Sequence, residues 1–229
     1  MASAKNILVG ASPLFLSASD STTAGYVADM EPGAAGGVAF VTKNLAATPA
    51  VPATVSYTDT LNANAAAASP KWRNVGFTNN GLQITYNPSY GSVTVDQLLD
   101  SAKLFKETME VMIATEFAEG TLENVLGVFG QSAATLTESG KKLGLAAGAL
   151  GEAPVERQLV AIGQAPTTAE SSKTERVYYA RRVLSVQQSQ FSLARNAAST
   201  FPVTFRLLPS GASGDAGKEY GTIVDRTWL

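Results

Sequence analysis

The sequence predicts a mainly β fold: two packed antiparallel sheets, a sandwich or partly closed barrel, flanked by one short α-helix. Three observations carry this expectation. Roughly seven to ten segments have the alternation or β-branched and aromatic content of strands, without the intervening helices that a parallel α/β sheet needs. Asn80-Gly81 is a strong hairpin signal, because a type I′ turn requires positive φ at both central residues. Only one segment, 120–130, places apolar residues clearly at helical spacing.

Along the chain, Asn6–Gly10 reads as a strand and Leu14–Leu16 as a short second one. Residues 25–70 are a different material: EPGAAGG, AATPAVPAT and NANAAAASP are rich in Ala, Gly and Pro and nearly free of charge. By composition this is a flexible surface insertion; the alternative is an arm that orders against a neighbouring subunit, which the apolar pieces Val38–Val41 and Val51–Tyr57 keep open. Beyond residue 72 the pattern is expected to run strand, Asn80-Gly81 turn, strand. Leu82, Ile84 and Tyr86 alternate there with Gln83, Thr85 and Asn87, giving one face for the core and one polar face. Asn87-Pro88 is expected to end that strand, Val93–Val95 to resume it, and DQLLDSAKLFKE (96–107) is ambiguous between short helix and loop.

ETMEVMIATEFAE (107–119) has Met109, Val111, Ile113 and Phe117 on one parity, which predicts a strand despite the helix propensity of Met, Ala and Glu. GTLENVLGVFG follows as a helix of about ten residues, capped by Thr121 or Gly120, with Glu123 at its positive end and Gly130 closing it. Its packing stripe is Leu122, Val125, Leu126 and Phe129. Residues 131–154 read as loop with at most a short strand at 143–147. Strands return at 156–163, 175–186, 191–194, 200–209 and 221–228, with GASGDAGKEYG as a glycine-rich loop. One domain over 1–229, carrying the 25–70 insertion, accommodates all of this.

Composition narrows the function. The chain has no cysteine and no histidine, so thiolate and imidazole chemistry are excluded, Ser-His-Asp triads and imidazole or thiolate metal sites included. Charged residues make up 16%, against roughly 25% in typical soluble domains, which favours surface hidden in an assembly. A net charge of −2 argues against gripping nucleic acid electrostatically. The N-terminal apolar segment Ile7–Leu16 is broken by Gly10, Ser12 and Pro13, too poor for a signal-peptide core and too short for a membrane span, so the chain is expected to stay in the cytoplasm.

Candidate chemistry is thin. Ser139 and Lys142 fit S-x-x-K, but the companion S-D-N and K-T-G elements are missing and a solvated loop is the better reading. Glu107 with Glu110, and Glu116 with Glu119, have the composition of a carboxylate pair, yet alternation explains them more simply as a polar strand face. Arg176, Arg181, Arg182, Arg195 and Arg206 form the only basic concentration, read as salt-bridge partners within or between subunits. No cofactor is implied.

VGFTNNGLQITYNPSYGSVTVDQ, followed by EVMIATEFAE running into TLENVLGVFG, resembles the core of the tailed-bacteriophage tail tube (major tail) protein family. The closing half is similar too, with VYYARRVLSV and then FPVTFRLLPSGASGDAGKEYGTIVDR; the resemblance spans roughly 75–130 and 175–226. It implies six copies in a ring whose strands join one barrel, and rings stacked head to tail into a conduit for DNA. Implied partners are the chain itself, the tail terminator, baseplate or tip and tape-measure proteins, and a sheath where the tail contracts, with DNA passing transiently and no membrane. The implied location is the virion tail, assembled in the host cytoplasm. On that reading Gln83, Thr85 and Asn87 are candidate lumen residues, and Arg181, Arg182, Asp96 and Gln97 are candidate subunit-interface residues. The alternatives are a tube component of a contractile injection or secretion system, a tail-completion protein of the same fold, a monomeric ligand-binding β-barrel, or a histidine-free hydrolase.

Overall fold

The structure, a computed structural model, describes residues 14–23, 26, 28, 30–31, 72–97, 100–165, 174–187, 189–191 and 198–227. In chain order the elements are β1 (Leu14–Ser17), β2 (Trp72–Asn74), β3 (Thr78–Thr94), β4 (Ser101–Phe117), α1 (Leu122–Val128), β5 (Leu136–Thr137), β6 (Lys142–Leu143), β7 (Arg157–Gln164), β8 (Thr174–Ser185), β9 (Phe201–Leu207) and β10 (Gly221–Thr227). The expected class is what the described residues form: mainly β and antiparallel, with one α-helix among them. The expected strand at Asn6–Gly10 and nearly all of the 25–70 insertion lie outside the described residues, as does most of 191–194.

The large sheet runs β2-β1-β7-β8-β9-β4-β3, with β10 branching from β8, while β5 and β6 form a separate two-stranded ribbon. Strand β8 is where the sheet divides. Its N-terminal part pairs with β10 (Ala180 opposite Gly221) and its C-terminal part with β9 (Val183 opposite Leu207), while β7 lies along the other edge. The β9-β4 half thereby closes over the β1-β7-β8 half. Leu14, Leu16, Leu159 and Val183 from one half share a core with Ile113, Phe117, Val203 and Phe205 from the other. Each such side chain contributes about 1.5–3 kcal/mol on burial. Strands β1 and β7 are buried on both faces, because Phe15, Val160, Val177, Tyr179 and Trp72 make a second cluster behind the first. This explains why LFLS and LVAI read as unbroken apolar runs rather than alternating ones.

Helix α1 starts at the expected cap: the Thr121 hydroxyl accepts from the Asn124 backbone N–H, and Glu123 sits in the first turn. Its buried face is rotated from the expected stripe. Leu126 is buried, together with Asn124, Gly127 and Val128, whereas Leu122 and Val125 are half-buried and Phe129 is exposed, its ring 6.3 Å from that of Phe191. The reason is close approach: a Cβ at Gly127 would stand 3.1 Å from Leu16, so the helix packs through its small residue.

Two expectations around the hairpin are corrected. Asn80 and Gly81 do take positive φ, 60° and 69°, but the chain does not reverse there. Asn79 pairs with Glu116 and Gln83 with Ala114, so the two residues form a bulge inside β3. The bulge is held from β4, where the Glu116 carboxylate accepts from the side-chain amides of Asn79 and Asn80, and the Thr115 hydroxyl donates to the Gly81 carbonyl. Nor does Asn87-Pro88 end the strand. Pro88 pairs with Met109 inside β3, which has only β4 as a partner among the described residues, so a missing N–H is tolerated on its free side. β3 runs on to Thr94, and the ambiguous stretch from Ser101 onward is strand β4, paired back along it.

Candidate assembly surfaces

The longest elements are also the least covered. β3 and β4 have 17 residues each, but β9 pairs only with Met112–Phe117 of β4. Ser101–Glu110 and the facing part of β3 therefore project as a two-stranded arm, about 34 Å long at the usual strand rise. Both faces of the arm carry apolar groups. Leu104, opposite Ser92, is 65% exposed, and Phe105 lies across Gly91, where a Cβ would collide with its ring. Tyr90, Val93 and Val95 are exposed as well. Asp96 and Gln97 stand exposed at the arm's tip.

The outer face of the β3-β4-β9 layer is polar. Gln83, Thr85 and Asn87 are exposed and pair with Ala114, Met112 and Glu110, next to which β9 sets Thr204 and Arg206. Arg206 lies 3.7 Å from Glu110, and the Thr204 hydroxyl donates to Gln187. Glu116 accepts from Asn79, Asn80 and the Thr200 hydroxyl, while Glu119 accepts from the Phe77 N–H, so these two carboxylates have separate structural tasks.

On the inner face, where the arm meets β10, the sandwich stays open. A cleft of about 300 Å³ is lined by Ile84, Tyr86 and Val111 from the arm's root, by Tyr220 and Ile223 from the β10 side, and by Leu207 of β9. Val111 and Leu207 are core residues, so the cleft is the mouth of the hydrophobic core rather than a separate pocket. Ile223 is 65% exposed at its rim. Alternation in the sequence puts Ile84 and Tyr86 on a core-facing parity, but nothing in it indicates that the core would be left open there.

The arginines serve the protomer. Arg181 is buried, not a surface group: it pairs with Glu31 at 2.7 Å and Asp215 at 3.3 Å, and lies over the Tyr179 ring. Arg182 grips both oxygens of Glu156 at 2.6 Å and donates to the Pro209 carbonyl. Arg176 makes a two-point bond to Asp225, which raises its own proton affinity and holds the Asp225 carboxyl below its usual range. As interface residues Arg181 and Arg182 are thus committed within one chain; Arg195 lies outside the described residues. Ser139 sits in the exposed turn between β5 and β6, and Lys142, exposed as the first residue of β6, pairs with Glu138.

Buried polar ties missing from the sequence reading hold the layers together. Asp20 accepts from the Ala133 N–H at 2.6 Å, the Thr22 hydroxyl at 2.5 Å and Arg157 at 3.2 Å. Burial would raise its carboxyl, but the Thr22 hydroxyl, the Ala133 and Thr22 N–H groups and Arg157 outweigh that and hold it low. Asn124 donates to the Val75 and Glu119 carbonyls and accepts from Arg73, whose guanidinium burial and the Arg157 charge push down to about 10.

No helix among the described residues is long and apolar enough to cross a membrane. No protein-family model matches the sequence, and no curated protein matches it.

Proposed function

We propose that this chain is a structural subunit of a phage tail tube, assembling without catalysis into stacked hexameric rings that form a hollow conduit for DNA. The observation that carries the reading is the arm: a long two-stranded ribbon whose edges have no partner strand among the described residues, with apolar groups on both faces. Such an edge is an aggregation hazard in a monomer and is removed when neighbouring subunits cover it. The sequence resemblance of 75–130 and 175–226 to tail tube proteins supports the same reading, as does the low charge.

In this reading the polar face bearing Gln83, Thr85 and Asn87 lines the bore. At its root its charges are the Glu110 and Glu116 carboxylates and Arg206, already beside Glu110, while Lys103 stands further out, opposite Val93. Duplex DNA carries one phosphate charge per about 1.7 Å, so a neutral-to-acidic wall lets it slide where a basic wall would hold it. The partners are further copies of the chain and the other tail proteins, and the location is the virion after assembly in the host cytoplasm. A tube component of an injection or secretion system, or a tail-completion protein, would use the same surfaces.

The apolar cleft favours one other reading, a monomeric barrel that binds a small apolar ligand. Negative-stain microscopy of the purified protein separates the two. Rings or filaments of constant diameter are expected; monodisperse monomers at high concentration would sink the tube and leave the ligand barrel.

A further inference from the structure

We infer that the apolar cleft beside β10 is the socket for the β3–β4 arm of a second copy of this chain. The inference rests on self-assembly being the chain's task and names the surfaces that perform it. The cleft is an unfilled end of the core, with Val111 and Leu207 inside it and Ile223 at its rim, so its natural occupant is apolar side chain rather than polar ligand. The arm supplies such groups, exposed among the described residues: Leu104 and Phe105 on β4, and Tyr90 and Val93 on β3.

The occupant is a second copy because the arm cannot reach its own cleft. Ile84, at the arm's root, lines the cleft, while Phe105 pairs with Gly91, seven positions further along β3. Seven residues of extended strand carry Phe105 about 24 Å away from the cleft it grows out of. One face of the ribbon, about 34 Å long and about 10 Å wide, presents about 340 Å² to a socket and leaves the side bearing Asn87 free. Each subunit makes two such contacts, one as arm and one as socket, about 680 Å² in all, near the ~800 Å² per partner of a stable interface. Socket and arm are different surfaces of one molecule. Filling one socket leaves that subunit's own arm free for the next, and such heterologous contacts propagate.

The absence of native cysteine makes the test direct. Leu104→Cys and Ile223→Cys, both at exposed positions that the fold does not depend on, are purified separately, mixed and oxidised mildly. Leu150→Cys, on the exposed loop before β7, replaces Leu104→Cys in the control. Docking raises the effective thiol concentration from micromolar to millimolar, so the Leu104–Ile223 pair is expected to crosslink between chains on the order of 1,000-fold faster than the control. Crosslinking at the control rate overturns the inference. So does a bond formed only within one chain when both cysteines are placed in the same molecule. Microscopy of the same samples keeps the two proposals apart. Tubes without the Leu104–Ile223 crosslink would remove the socket and leave the tube; crosslinked closed dimers without tubes would do the reverse.

Discussion

Asn124 ties α1 to β2, to the chain just after β2 and to the chain just before α1 through three hydrogen bonds, and its removal tests the structure of the core. It is 1% exposed; its amide donates to the Val75 carbonyl at 2.7 Å and the Glu119 carbonyl at 2.9 Å, and its oxygen accepts from Arg73 at 2.6 Å. Asn124→Ala leaves two carbonyls without that donor, each costing about 1 kcal/mol at the low end for an acceptor with two lone pairs. It also takes one partner from the half-buried Arg73 guanidinium, worth about 1.5–3 kcal/mol; Arg73 keeps its bond to the Glu123 carbonyl. The sum is about 4 kcal/mol, which for a chain of this size lowers the melting temperature by about 8–16 °C. Urea unfolding followed by circular dichroism measures it. Asn124→Leu fills the same space without the hydrogen bonds and is expected to be as damaging as the alanine. Wild-type stability in Asn124→Leu would mean that packing, not the polar tie, holds the helix, and the reasoning would fail.

Three other perturbations follow from the same structure. Asp20 has its folded-state pKa held below the unfolded value near 3.9, so its contribution is present above that pH and lost as pH falls through the folded value; the wild-type urea midpoint should drop below about pH 4, and Asp20→Asn should flatten that dependence. Arg181→Met takes from half-buried Glu31 and Asp215 the guanidinium they share, with Lys218 remaining beside Glu31, and should cost about 3 kcal/mol in unfolding, the low end for a broken buried pair, whereas Arg182→Met, at a half-exposed site, should cost about 1 kcal/mol or less; equal losses would contradict the assignment of Arg181 to the interior. Gly221 has φ 140°, and a Cβ there would collide with the Tyr179 carbonyl, so Gly221→Ala should detach β10 from β8, read as faster amide exchange over 222–227 with β7 protected as before.

What was legible in the sequence followed from period. The alternation Met109–Val111–Ile113 fixed β4 against its helix propensity, because one parity faces a core that only a strand can serve. Thr121 and Glu123 gave the start of α1 for reasons of capping that need no tertiary context. Asn80-Gly81 misled because positive φ at two successive residues is a local property, and a bulge meets it as well as a turn; which of the two forms depends on Glu116 and Thr115, far away in sequence. The inward rotation of α1 depended on Gly127 meeting Leu16, and the burial of Arg181 on Glu31 and Asp215 converging from two distant segments. The open cleft was hidden for the same reason. Ile84 and Ile223 look like ordinary strand residues until the sheet divides at β8 and leaves them facing each other across a gap.

The central claim is that this chain builds a hollow tube with the polar face of β3, β4 and β9 as its inner wall. Cryo-electron microscopy of the assembled protein tests it most directly. The account predicts six subunits per ring around a continuous bore, with Gln83, Thr85 and Asn87 on the inner surface. Solid fibres without a bore, or a bore lined instead by the opposite face of the sheet, would contradict it.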